Sequence, residues 1–103
     1  MLKISVIESD HKTQLVLEGK LVVPWTDMLR SLGLRAVLER DHREIVVDVR
    51  GVTAISVDGE DVLLTLMDQG ARFRASGVFM RLVLKELSRR SRLTKGINRR
   101  KTT

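Results

Sequence analysis

The sequence predicts an α/β domain, a mixed β-sheet with helices packed on it in the order ββαβαβα. Three observations lead there. Two stretches near the start alternate apolar and polar residues with the period of a half-buried strand. Three later stretches repeat apolar residues every three or four positions, the period of an amphipathic helix. Between them lies IVVDV, a short β-branched run that reads as a central strand buried on both faces. Strands that alternate with helices after an opening hairpin give a sheet that is partly antiparallel and partly parallel, with right-handed crossovers.

In order, Leu2–Glu8 (LKISVIE) places Leu2, Ile4 and Val6 on one face. Ser9–Thr13 is a polar turn, and residues 15–22 alternate again through Leu15, Leu17, Gly19 and Leu21, the hairpin partner of the first strand. Pro24 suits the first turn of a helix, where its missing N–H has no partner to lose. That helix, 24–39, carries Trp25, Met28, Leu29, Leu32 and Ala36 at helical spacing. Gly33 inside it costs about 1 kcal/mol relative to alanine, so a bend or break is expected there. After the strand Ile45–Val49, Asp58-Gly59-Glu60-Asp61 opens a second helix with Val62, Leu63, Leu66 and Met67. Residues 71–76 (ARFRAS) alternate as a last strand. Val78, Phe79, Leu82, Val83, Glu86 and Leu87 mark a third helix, ending at Ser88-Arg89-Arg90, where cations suit the C-terminal dipole.

Composition narrows the function classes. The 103 residues are 43% hydrophobic and 31% charged, enough for one domain with a modest core. Without cysteine there is no disulfide framework, thiolate metal site or thiol nucleophile. His11 and His42 stand far apart in polar surroundings, without metal-ligand spacing. No apolar run approaches the ~20 residues of a membrane span, and the MLKISVIESD start is too charged for a signal peptide, so a cytoplasmic location is expected. The net charge of +6 is uneven: residues 1–88 sum to −1, while 89–103 hold seven basic residues and no acid. The expected organisation is a domain over 1–91 and a basic, disordered tail over 92–103. Such a tail solubilises, or makes weak, salt-sensitive contact with nucleic acid or an anionic surface. The aromatics, Trp25, Phe73 and Phe79, all lie outside the tail, which leaves little for base stacking.

Enzyme chemistry has no foothold: GxSxG, P-loop and GxGxxG patterns are missing, and no His accompanies a Ser and a supporting acid. No catalytic residue, metal or cofactor is assigned. Asp48, between valines, has neighbours that would raise its pKa; a strand-end carboxylate pointing to a loop is the favoured reading.

Two segments carry a resemblance. Glu18-Gly19-Lys20-Leu21 is similar to the G-x-L lead-in to the first helix of STAS domains, the family of bacterial anti-sigma factor antagonists and sulfate-transporter C-terminal domains. Ile45 to Ile55 (IVVDVRGVTAI) resembles that family's core strand and its D-x-x-G-V-x-x-I segment, which leads into the regulatory loop. The resemblance spans about residues 2–91. It implies a non-enzymatic module that binds an anti-sigma factor kinase and is released when a loop hydroxyl is phosphorylated. The family loop reads Asp-Ser-Ser-Gly or Asp-Ser-Thr-Gly; here the aligned residues are Ser56-Val57-Asp58-Gly59, and Asp58 stands where the phosphorylated Ser or Thr would be.

Asp58 has three readings. As an N-cap it accepts backbone N–H groups of the second helix, with Glu60 and Asp61 adding favourable charge. As a fixed charge it imitates a phosphate imperfectly, with one carboxylate against about −1.5 to −2 and three acceptor oxygens. As a lost site it belongs to a constitutive binder or a module with another partner. Ser56 has two readings, a small polar residue satisfying a turn, which is favoured, and a displaced phosphosite. Gly59 is expected to allow close approach of a partner. Trp25 is a core or rim anchor. The expected partner surface is Ser56, Val57, Asp58, Gly59, Glu60 and Asp61, with Trp25 at its rim. The alternative function is an accessory STAS subunit that binds the ATPase of an ABC lipid-transport complex.

Overall fold

In a computed structural model the backbone is described for residues 1–102 and the side chains for residues 1–92. The element order is β1 (Leu2–Glu8), β2 (Lys12–Leu21), α1 (Thr26–Leu38), β3 (Glu44–Ile55), α2 (Val57–Asp68), β4 (Arg72–Arg74) and α3 (Val78–Thr102). This is the ββαβαβα order expected. The four strands form one sheet in the order β1-β2-β3-β4, β1 antiparallel to β2 and the other two pairs parallel.

The sheet has two different faces. Leu2, Leu15, Leu17, Ile45, Val47 and Val49 point to one side, where they join Leu29, Val62, Leu63, Leu66, Met80 and Leu87 of the three helices in a single core. On the other side, register places Ser5, Val16, Asp48 and Arg74 in one row, and Ile7, Gln14, Val46 and Arg72 in the next. Residues 45–49 are buried on both faces, as their pattern predicts.

Several details differ from the sequence expectations. α1 begins at Thr26, and Pro24 sits in the turn before it, where its carbonyl accepts from the Asp27 N–H at 3.2 Å; the Val23–Pro24 peptide is cis. Gly33 neither ends nor interrupts α1. A Cβ there would lie 2.6 Å from Leu66 Cδ2, so the glycine lets α1 and α2 approach closely. β3 runs six residues past Val49 to Ile55, paired with Glu18–Leu21 through two register shifts. β4 is cut to three residues. α3 extends beyond Ser88–Arg90, and its inward stripe is Met80, Leu87 and Ser91, leaving Val78, Phe79 and Leu82 exposed. The basic, disordered tail expected over 92–103 falls, after Arg92, outside the residues whose side chains are described.

Asp48 is neither a loop-facing strand end nor an acid with a raised pKa. It sits mid-strand, 3% exposed, and accepts from Arg50 Nε at 3.0 Å, Arg50 Nη2 at 2.7 Å and the Arg50 backbone N–H at 3.0 Å. The Arg50 side-chain bonds hold its carboxyl below the ordinary value of 3.8; burial opposes, and the nearby Arg74 charge adds to the lowering. A lowered native pKa stabilises the fold above 3.8 and loses that contribution as pH falls through the native value. Asp48→Asn is therefore expected to cost on the order of 1 kcal/mol at pH 7, discounted for the half-exposed guanidinium. Melts of both proteins from pH 7 down to pH 3 should show the difference shrinking once the pH drops below 3.8.

Candidate functional site

β2 and β3 are parallel neighbours, with Leu21 opposite Ile55, so they end at the same edge of the sheet. The connection 22–25 and the start of α2 therefore lie side by side, at the carboxyl ends of the parallel strands, where open α/β sheets commonly form binding sites. The Ser56 N–H donates to the Leu21 carbonyl at 3.1 Å and fastens the two segments together.

Ser56, not Asp58, caps α2. Its backbone is extended (φ −93°, ψ 171°), and its hydroxyl accepts from the Gly59 N–H at 3.1 Å. This corrects the N-cap reading of Asp58, which lies inside the first helical turn with its side chain turned toward α1. There one carboxylate oxygen accepts from the Thr26 hydroxyl and the other from Arg30 Nη2 at 3.1 Å. Arg30 also donates to Asp27 at 2.5 Å, so one guanidinium bridges two acids. The Thr26 hydrogen bond, helped by Arg30 and opposed by burial, holds the Asp58 carboxyl below its ordinary value. Thr26 itself is 1% exposed, so its hydroxyl faces Asp58 rather than solvent.

The rest of the turn divides between packing and surface. Gly59 is buried, and a Cβ on it would fall onto the Leu21 carbonyl oxygen and lie 2.9 Å from Ile55 Cγ1. Its lack of a side chain thus serves packing inside the chain, correcting the expectation that it makes room for a partner. Glu60 and Asp61 reach Arg90 of α3 at 3.5 and 3.6 Å, tying α2 to α3. Val57 is 74% exposed. Val23, in the adjoining connection, is 63% exposed. Trp25 is half-buried and packs against the core at the start of α1, without a side-chain cap to the helix. Among the six loop residues expected at this surface, the structure brings Ser56, Val57, Glu60 and Asp61 to accessible positions, turns Asp58 partly inward and buries Gly59.

The sequence reading missed Val23, Thr26, Arg30 and Arg90. Thr26 and Arg30 lie one turn apart on α1, but their partner is some thirty residues away, and no local pattern announces that pairing. Among the described residues, no three or more His, Cys, Asp or Glu side chains are grouped to hold a metal ion, and no helix is long and apolar enough to cross a membrane.

No family model matches the sequence, and no curated protein matches it. Solved structures do. The chain is similar to the anti-sigma factor antagonist SpoIIAA in its unphosphorylated form, at 14% identity and a TM-score of 0.65 over 81% of this chain and 82% of that one. It is similar to the STAS domain of an anti-sigma factor antagonist from Rhodobacter sphaeroides, at 15% identity and a TM-score of 0.54 over 74% and 86%. It also matches the crystal structure of Mglu, at 17% identity and a TM-score of 0.56, over 72% of this chain but only 19% of that longer one. Taken with the element order and sheet topology, these similarities show that the chain has the STAS-like fold of anti-sigma factor antagonists.

Proposed function

We propose that the protein is a STAS-type regulatory module, without catalytic activity of its own, that binds a cytoplasmic protein partner through the exposed start of α2. The observation that carries this reading is the arrangement around Ser56. Val57 and Val23 stand out to solvent on two fastened segments, with Glu60 and Asp61 beside them. An apolar centre with a polar rim is the usual anatomy of a protein interface. Trp25 lies at the edge of this surface as a rim residue. The fold shared with anti-sigma factor antagonists supports an anti-sigma factor as the partner class, and the resemblance at residues 45–55 extends this to one of the kinase type.

The inward clamp on Asp58 bears on regulation. A carboxylate that imitates a phosphate toward a partner must project its charge outward. Here both oxygens are engaged by α1, and the Arg30 charge offsets it. This favours a constitutive binder over a built-in phosphate mimic.

Affinity capture from a lysate of the source cells tests the proposal, using the full chain beside Val57→Glu and Asp61→Lys. The expected result is recovery of a histidine-kinase-like anti-sigma factor that is lost with Val57→Glu and weakened with Asp61→Lys. A P-loop ATPase recovered with the same sensitivity would move the function to the accessory subunit of an ABC transport complex. A capture indifferent to both substitutions would overturn the surface assignment.

A further inference from the structure

Along α3, positions 78, 82, 85, 89 and 92 advance by four and three residues in turn, which keeps them on one side of a helix. They lie opposite the inward stripe of Met80, Leu87 and Ser91. The outer stripe begins apolar, with Val78 74% and Leu82 60% exposed and Phe79 beside them 49% exposed. It continues through Lys85, Arg89 and Arg92, all exposed, with Glu86 as an acid on its flank, paired to Arg89 at 2.7 Å. Counted over the sequence, residues 89–103 carry seven cations and no acid, while residues 1–88 sum to −1.

We propose that this outer face of α3 docks the protein on an anionic lipid bilayer. Apolar side chains at one end of the stripe enter the interface between headgroups and acyl chains, and the cations at the other end lie over anionic headgroups. Each half alone holds weakly, since stable membrane attachment generally needs two signals. The apolar half argues against nucleic acid, whose phosphate backbone rewards the cations and gives exposed aliphatic side chains nothing to bury against. The cations argue against a second copy seated in parallel on the same face, which would set one run of like charges against another. The inference does not depend on the partner proposed for the start of α2, which is a different surface.

Co-sedimentation of the full chain with vesicles tests it. One set is phosphatidylcholine alone and the other contains about 30% phosphatidylglycerol, a range in which surface charge attracts basic segments. The expected result is binding to the anionic vesicles, little to the neutral ones, and weakening as salt rises. Phe79→Ser with Leu82→Ser should weaken binding about tenfold or more through lost apolar burial. Lys85→Glu with Arg92→Glu should do so by a similar factor through lost attraction. Both pairs are checked for unchanged melting. Equal sedimentation with neutral and anionic vesicles, or binding untouched by the Phe79 and Leu82 substitutions, would overturn the proposal. So would a preference for duplex DNA competitor that persists in the Phe79 and Leu82 variant, which would assign the cations to nucleic acid.

Discussion

Replacing Gly59 with alanine is expected to lower stability by about 3 kcal/mol, the upper range for forcing atoms into a packed interior. In a domain this size that corresponds to a fall in Tm of roughly 15 °C, readable by thermal melting. The added methyl would meet the Leu21 carbonyl oxygen first, with Leu21 Cγ at 3.0 Å and Ile55 Cγ1 at 2.9 Å behind it. Backbone cannot yield as a side-chain tip can, and this carbonyl is already held by the Ser56 N–H. Relief requires the first turn of α2 to move off the sheet, which displaces Ser56 and Val57 with it. The same variant should therefore lose partner binding even at temperatures where it stays folded. A melt within a few degrees of the parent would show that the helix start is not seated against Leu21 in this way.

The second large effect lies where α1 crosses α2. Leu66 is 1% exposed and fills the space that Gly33 leaves open, its Cδ2 2.6 Å from where a Cβ on residue 33 would sit. Leu66→Ala is expected to cost about 3 kcal/mol, since it removes buried methyls and leaves a cavity between the helices. Gly33→Val in the parent should also destabilise, by overpacking against a leucine that has nowhere to go. Combined, the two should partly compensate, because the new side chain on α1 occupies volume vacated on α2. The expected coupling is about 1.5 kcal/mol in the stabilising direction. Additive losses in denaturant melts of the four proteins would show that the two positions do not share that space.

These contacts mark the limit of what the sequence discloses. The alternation in LKISVIE and in residues 15–22 is sufficient for the hairpin, since Leu2, Leu15, Leu17 and Leu21 face the core, and IVVDV for the central strand, since both of its faces are buried. Val62, Leu63 and Leu66 announced the inward face of α2 for the same reason. Local rules did not decide between two polar residues at the start of that helix. Ser56 and Asp58 are both acceptable caps, and the choice follows from Thr26 and Arg30, which the fold brings from α1. Gly33 looked like a helix breaker because propensity counts the residue and not the leucine across from it. β3 looked shorter because Arg50, Gly51 and Thr53 carry no alternating apolar signal, and pairing with Glu18–Leu21 extends the strand regardless. In α3, Phe79 and Leu82 fit a helical period as well as Met80 and Leu87 do, and only the packing shows which stripe faces in.

The most direct measurement is the affinity of the captured partner for Asp58→Ser beside Val57→Glu, determined by isothermal titration with both variants shown to be folded. With Val57 at the centre of the proposed interface and Asp58 turned toward α1, Val57→Glu should weaken binding at least about thirtyfold. Asp58→Ser should change it by no more than about threefold, within the range of an energetically neutral position. A partner that binds Asp58→Ser about tenfold or more tightly, and ignores Val57→Glu, would contradict this. It would mean that the carboxylate faces the partner and holds it off.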